Sequence, residues 1–510
     1  MDAKEEKFVN IRPAVVACVA MVCGIVCAYR SFLHSFLISL IAFLILGVAF
    51  FLPLLFKNEN RKKIFIYLFV ILLCFTLGYV NTFVRINTAT KQSLSSQHGQ
   101  YVGRIYEKSS YATGTLIYLE NQTFSGEKIG GKSTAFIYSA DLTDKIDVGA
   151  VLSCEANIVN RALSGDNDSD VFSGIYYKLE NVANIEIIDF DADFCELGYL
   201  KIRAFLKNNL SAEASSVALA LILGDTTAFA KYKLENYRYA GVAHVFAVSG
   251  LHVGVMVTCF TFLCNKLKIK RKFKPLFILI PAFIYCGLCG FRASSFRAFI
   301  MACCSISAGY IGFKKDGLSV SAIAGFVLLL LNPFNLYDYG FKLSFVAATS
   351  IFAFAPVITR KLKKLKGVGE PMAITLSAQA GTLPILTQMS GYTSIIAIFT
   401  NLLFVPVSVV MYVVTIVCLA LSASLSMLFS GATKIMRVAD FLICAVDNLI
   451  SSVDFSIFAT KITLGPLAVL WYVGLACVSE YFNFSSRSKT FIFITTVVTV
   501  FGIAFLNSLI

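Results

Sequence analysis

Histidine is scarce: the 510 residues hold four, His34, His98, His244 and His252. Zinc hydrolase sites built from several histidines need clustered ligands, so they are excluded and no metal or cofactor is expected. Charge is scarce too. Asp, Glu, Lys and Arg supply 15% of the chain, against about 25% in soluble domains. Hydrophobic residues supply 57%, and the mean hydropathy is +0.75. A chain this apolar has too little polar surface to cover itself with, which excludes a cytosolic enzyme. Paired metal-binding cysteines are also missing. Of fifteen cysteines, all but Cys154 and Cys195 lie in apolar runs, where Cys packs as a small hydrophobe. Cys286 and Cys289 form a lone pair in one such run. The first apolar run lacks an A-x-A cleavage site and others follow closely, so it reads as an anchor rather than a cleaved signal.

The apolar excess is blocky. Runs fall near 12–29, 36–56, 64–84, 240–263, 275–290, 294–312, 318–334, 341–358, 371–389, 407–428, 434–452, 463–482 and 490–508. Most approach the roughly 20 residues that cross a bilayer. Residues 393–405 look like a half-span, interrupted by Asn401 and Pro406. The expectation is a polytopic α-helical membrane protein of roughly 11–13 spans. The formal charge of +14 sits largely in short linkers. Lys57 and Arg61–Lys63 follow the second run. Lys266, Lys268, Lys270, Arg271, Lys272 and Lys274 share one acid-free linker, and Arg360, Lys361, Lys363, Lys364 and Lys366 another. That is the positive-inside pattern. It makes 57–63, 264–274, 313–317 and 359–367 cytoplasmic, with the N-terminus inside, and needs no nucleic acid to explain it.

Residues 85–200 break the pattern and fall outside the cell. Short alternating segments at 100–106, 114–120, 134–139, 151–158 and 175–188 are separated by Gly, Asn and Asp, which predicts a small β-barrel or sandwich. This region holds nine basic and sixteen acidic residues, a net of −7. That is a poor surface for a phosphate backbone. Gly126, Gly131, Lys132 and Ser133 fit the P-loop spacing, but a strand rather than a helix is expected after them, so Gly130–Gly131 reads as a hairpin turn. Cys154 and Cys195 are the only cysteines of this external region. An oxidising compartment permits a bridge between them, with two buried free thiols as the alternative. Four segments result: 1–84, N-terminal transmembrane helices; 85–200, the external β domain; 201–239, amphipathic interfacial helices; and 240–510, a second transmembrane domain.

The densest polar constellation in apolar surroundings is Gly241-Val-Ala-His244-Val-Phe-Ala-Val-Ser249-Gly250-Leu-His252-Val-Gly254. Polar groups at membrane depth are costly and mark function or pairing. Three readings stay open: a polar pore lining, hydrogen bonds between packed helices, and a Ser249–His252 nucleophile pair. The last lacks a nearby acid and a G-x-S-x-G elbow. Arg292, Arg297 and Lys342 also lie in or at the edge of apolar runs. They either face a cavity, or pair with Asp225 or a carbonyl, or reach for the interface.

In combination these residues resemble one family. Leu221-Ile-Leu-Gly224-Asp225 is similar to L-L-L-G-D of the ComEC competence proteins. His244–Gly254 is similar to their H-L-x-A-x-S-G-L-H-x-G. Gly290-Phe291 with Arg297, Ala298 and Met301 resembles the next segment, and Gly340-Phe-Lys342-Leu-Ser-Phe345 resembles G-F-Q-L-S-F. Gln379, Pro384, Asn401 and Pro406 fall where the family has A-Q-x-x-x-x-P and A-N-x-x-x-x-P. The likeness runs over roughly 200–430. Lys342 stands where Gln is usual, Arg292 where a small residue is usual, and Asn332 where Asp is common.

The resemblance implies an OB-like external barrel and a competence-type domain enclosing a path for single-stranded DNA in natural transformation. Asp225, His244, Ser249, Gly250, His252, Arg297, Lys342 and Gln379 are expected to line that path. Many family members carry a C-terminal β-lactamase-like domain. This chain ends in an apolar run with no histidine after His252, so that nuclease-type domain is expected to be absent and no catalytic residue is assigned. Implied partners are single-stranded DNA, the lipid bilayer, an external DNA receptor and a separate cytoplasmic energy-coupling protein, since no ATP motif is present. Homo-oligomerisation is left open. A small-solute transporter and an intramembrane hydrolase are the rival readings.

Overall fold

A computed structural model describes residues 12–30, 59–91, 97–111, 114–138, 146–160, 174–311, 316–365, 367–394, 396–425, 432–461, 464–478 and 485–509. The expected span at 36–56 lies outside these residues, as does most of the 313–317 linker. The chain divides into two units: Val16–Phe205 with Phe326–Asp338, and Met1–Val15 with Leu206–Gly325 and Tyr339–Ile510.

The first unit holds two N-terminal helices and a barrel. Helices α1 (Pro13–Arg30) and α2 (Glu59–Lys91) touch backbone to backbone at glycines. A Cβ on Gly24 would lie 2.1 Å from the Phe75 carbonyl oxygen, and one on Gly78 would lie 2.5 Å from that of Met21. Small residues permit this approach, which is how helices associate where lipid removes the hydrophobic drive. Strands β1 (Gln97–Tyr111), β2 (Gly114–Phe124), β3 (Glu127–Lys128), β4 (Lys132–Ile137), β5 (Ala150–Asn160) and β6 (Ile175–Phe190) follow. Their order is β1-β5-β6-β4-β2, and β1 also pairs with β2, so five strands close on themselves. All pairs are antiparallel except β4 with β6. β1 serves both sheet ends by bending. Its register shifts fall on either side of Arg104, next to Gly103, where a Cβ would meet the Tyr101 ring at 2.8 Å. Alternate residues fill the interior: Ile117 and Leu119 from β2, Leu152, Ala156 and Ile158 from β5, Tyr177 and Leu179 from β6. The Tyr101 hydroxyl meets Gln122 Oε1 and Ser133 Oγ there, so its polar end is satisfied.

Two expectations change in this unit. The hairpin turn sits at Ser125–Gly126, both with positive φ, rather than at Gly130–Gly131. A strand does follow Lys132, which removes the P-loop context. The expected Cys154–Cys195 bridge is not formed, and both thiols are free. Cys154 points into the barrel core from β5, while Cys195 opens helix α3 (Phe194–Asn209). Burial pushes the Cys154 thiol up to about 11. Arg104 holds the start of α3 by pairing with Glu120 at 2.7 Å and with Glu196. Asp147 holds its middle by pairing with Arg203 at 2.8 Å.

The second unit is helical: α4 (Ala212–Leu223), α5 (Lys231–Tyr239), α6 (Gly250–Lys266), α7 (Lys274–Leu288), α8 (Ala293–Ile311), α9 (Gly317–Leu331, whose last turns belong to the first unit), α10 (Tyr339–Lys361), α11 (Gly369–Ser390), α12 (Ala397–Leu425), α13 (Met436–Ser451), α14 (Leu467–Val478) and α15 (Ser486–Leu509). Among the described residues three helical stretches are long and apolar enough to cross a membrane: Ile66–Asn87, Tyr339–Lys361 and Ala397–Leu425. The half-span at 393–405 is corrected by the last of these. Asn401 and Pro406 lie inside one continuous helix, since proline is tolerated where neighbouring helices satisfy the freed backbone.

Within 201–239, the stretch after α3 packs inside the helical unit. Residues Ala214–Leu223 of α4 are buried on every face, as expected of a helix without a polar stripe. α5 is tied down from inside. Lys233 Nζ and the Tyr237 hydroxyl each donate to Asp447 of α13 at 2.8 Å, and Asp447 is 1% exposed.

Candidate functional site

The polar constellation folds into a helix start. Ser249 is the N-cap of α6, and its Oγ accepts from the Leu251 amide at 3.3 Å. Serine is favoured there because it satisfies an orphan amide. His252 reaches back, and its Nδ1 accepts from the Ser249 amide at 3.1 Å, with Ser249 Oγ 3.2 Å away. This is a capping box with histidine in the place usually held by Glu or Gln. Because Nδ1 accepts, the ring proton belongs to Nε2. Nε2 is buried and has no hydrogen-bond partner. The Ser249–His252 pair therefore lacks the acid that a nucleophilic triad requires at the second ring nitrogen. The His252 ring stands edge-on to Tyr412 of α12, centroids 4.7 Å apart.

Arg297 occupies the second turn of α8 and is 8% exposed. Its Nη1 donates to the Ser344 carbonyl of α10 at 2.5 Å, and its guanidinium carbon lies 5.3 Å from the Phe345 ring centre. It has no carboxylate partner among the described residues, so of the two pairing alternatives the carbonyl one is realised and the Arg297–Asp225 pair is not. On its other side, Nη2 comes within 3.6 Å of where a Gly250 Cβ would stand. Arg297 thus joins the starts of α6, α8 and α10.

Asp225 is buried just beyond the C-cap of α4. Its Oδ1 accepts from the Thr227 amide at 3.0 Å and the Thr227 hydroxyl at 2.5 Å. Next to it, Gly224 has φ +71°, and its carbonyl takes Arg292 Nη1 at 3.0 Å. A Cβ on Gly224 would meet Val248 at 2.9 Å, which brings Asp225's neighbour to the residue before Ser249. Tyr285 closes the same helix end by donating to the Ile222 carbonyl at 2.8 Å.

The structure therefore joins Ser249 to His252, sets Arg297 beside Gly250, and places Asp225 on the adjoining loop. The other three take separate positions. His244 lies in a 3₁₀ turn, Ala243–Val245, its Nδ1 at 3.2 Å from the Gly241 carbonyl, with the ring exposed. Lys342 stands over Tyr339 one turn before it in α10, at 5.0 Å. Gln379 sits mid-way along α11 with Nε2 buried and unpartnered. Further buried orphan atoms are Arg297 Nε and Asn401 Oδ1. Tyr412 carried no signal in sequence, being one aromatic in an apolar run. Phe345 and Ser344 were visible as part of Gly340–Phe345, without an assigned role.

Residues 221–483, just over half the chain, match the family model described as competence protein. The chain is 28% identical over 277 residues to ComE operon protein 3 of Bacillus subtilis (strain 168). That match covers 53% of this chain and 34% of the relative, so the chain corresponds to about a third of the relative's length. No solved structure matches. With the family segment spanning α4 to α14 and carrying the whole capped site, the chain belongs to the ComEC competence-protein family.

Proposed function

We propose that the chain is a multi-pass membrane component of DNA uptake in competence, and that one DNA strand passes through its helical unit. The observation that carries this is Arg297, a buried cation among apolar helices that meets one backbone carbonyl and, among the described residues, no carboxylate. An arginine in that setting costs at least about 2.5–3.5 kcal/mol on insertion scales unless it faces a cavity or a partner. The cost makes sense where a polyanion passes. Single-stranded DNA is held by positive grooves and stacking faces, and Phe345 lies beside the guanidinium. Unpartnered polar atoms on His252, Gln379 and Asn401 add demand for water or a substrate in the same unit.

In this reading the barrel has the OB topology, because its strand order and its single parallel pair are those of that fold. Its charge of −7 leaves the phosphate path to the helices. The N-terminus and the 264–274 and 359–367 linkers face the cytoplasm, and 85–200 lies outside. Ser249 acts as a cap and not as a nucleophile in this reading, which assigns it no enzymatic step. A cytoplasmic motor and an external receptor act as separate partners. The test is Arg297→Ala in a competent host. Uptake of labelled DNA is expected to fall while protein abundance stays near wild type. Collapse of both together would make Arg297 a structural residue and remove the support for a pore.

A further inference from the structure

We infer that the start of α6 and the free edge of Arg297 form a binding site for one phosphate group. The inference rests on the DNA-path reading for the source of that phosphate, but not for the site. α6 runs seventeen residues, Gly250–Lys266, and its N-terminus carries the positive end of the helix dipole. The first-turn amides are unequally used. Leu251 N is taken by Ser249 Oγ, and His252 N and Val253 N turn to the Ser249 carbonyl. Gly250 N has no partner among the described residues, and Gly250 has no side chain to cover it.

Arg297 supplies the second, independent feature. A guanidinium offers two parallel N–H groups along its Nε–Nη2 edge, the geometry that grips a phosphate or carboxylate through two oxygens. Nη1, on the other edge, is committed to Ser344. Nε is buried and unpartnered, and Nη2 is the atom that reaches Gly250. One nitrogen of the free fork therefore lies beside the residue that carries the free amide. Ser344 and Phe345 on one side and Ser249 on the other contribute no negative charge. Asp225, on the loop after α4, accepts from the Thr227 amide and hydroxyl.

Phosphate diesters of a DNA strand and phosphate headgroups of anionic lipid share this chemistry, and the experiment separates them. The full chain is placed in nanodiscs of neutral lipid and titrated with a short oligothymidylate over a salt series. Arg297→Lys keeps the charge and loses the fork. Gly250→Pro removes the amide at a helix position where proline is well tolerated. Arg297→Gln removes the charge.

Arg297→Gln is expected to weaken binding about tenfold and to lower the slope of log K against log salt by about 0.7. Arg297→Lys should weaken binding with little change of slope, and Gly250→Pro should weaken it without changing net charge. An oligonucleotide with an uncharged methylphosphonate backbone should not distinguish wild type from any variant. The wild type gives a readout free of folding defects, since inorganic phosphate should raise its melting temperature more than chloride does. Oligothymidylate binding equal in all four proteins overturns the site and leaves the DNA path standing. So does a melting temperature indifferent to phosphate. Loss of oligothymidylate binding by the wild type, with Arg297-dependent binding of anionic lipid, keeps the site and overturns the DNA reading.

Discussion

Removing the Lys233 amine should destabilise the helical unit far more than neutralising the aspartate it serves. Asp447 is 1% exposed and receives two donors, Lys233 Nζ and the Tyr237 hydroxyl, each at 2.8 Å. Lys233→Met leaves that carboxylate buried with one neutral donor. Breaking one partner of a buried pair costs about 3–5 kcal/mol, because an uncompensated charge remains. Asp447→Asn keeps an acceptor for Tyr237, and Lys233 retains Glu213 at 3.6 Å and some contact with solvent. Its cost should be near the value of one charged hydrogen bond, about 1.5–3 kcal/mol. The double variant should recover much of the Lys233→Met loss, since the stranded charge has gone. Melting of the four proteins in one detergent gives the cycle, and the coupling should fall within about 0.5–3 kcal/mol. Equal loss in both single variants, or a double variant at the sum of the two, would refute the buried-charge argument.

Ser249→Asn keeps an N-cap of equal quality, so uptake should survive in it, whereas Ser249→Ala should cost about 1 kcal/mol of stability. An intramembrane hydrolase using Ser249 would be dead in both. Cys154 and Cys195 should be recovered as separate alkylated peptides from unreduced protein, Cys154 reacting only after denaturation; a disulfide-linked peptide would contradict the barrel geometry. Gly24→Val should lower the yield of folded protein, because the Phe75 carbonyl occupies the place of a β-carbon; normal yield and melting would mean that α1 and α2 do not pack as described. Cysteines introduced into 264–274 should resist impermeant label added from outside, while ones in exposed barrel positions such as Tyr138 react; the reverse would invert the proposed topology.

What the sequence revealed and what it concealed follow from the range of the forces involved. The barrel strands were legible because alternation and glycine punctuation are local. The same alternation held the answer to the disulfide question. Leu152, Cys154, Ala156 and Ile158 share one parity on β5, so Cys154 had to face inward with them. An oxidising compartment permits a disulfide, but strand parity decides where a side chain can reach. α4 follows the same logic. Val217–Leu223 is too short to span and has no polar face. Such an all-apolar short helix is stable packed inside, whatever the amphipathic character of the residues before it. Pro406 illustrates the opposite limit. Proline ends helices in water, but flanking apolar sequence and surrounding helices carry α12 through it.

The site divides along the same line. Ser249 and His252 are three residues apart, so their capping contact follows from spacing alone once a helix is known to begin at Gly250. Arg297 meets Ser344 across 47 residues of sequence, and no periodicity encodes that. What the sequence did carry was the cost of an arginine in an apolar run, and that cost pointed to the residue without naming its neighbours. The same cost explains why the three helix starts converge. Free backbone amides gather at helix N-termini, because the first turn has no preceding carbonyl to bond. Arg297 commits one edge to the Ser344 carbonyl and leaves Nε without a protein partner. Arg292 also meets a carbonyl, that of Gly224 at the C-terminal end of α4. Arg292 closes the end of α4, and the free edge of Arg297 is what the proposed phosphate site uses.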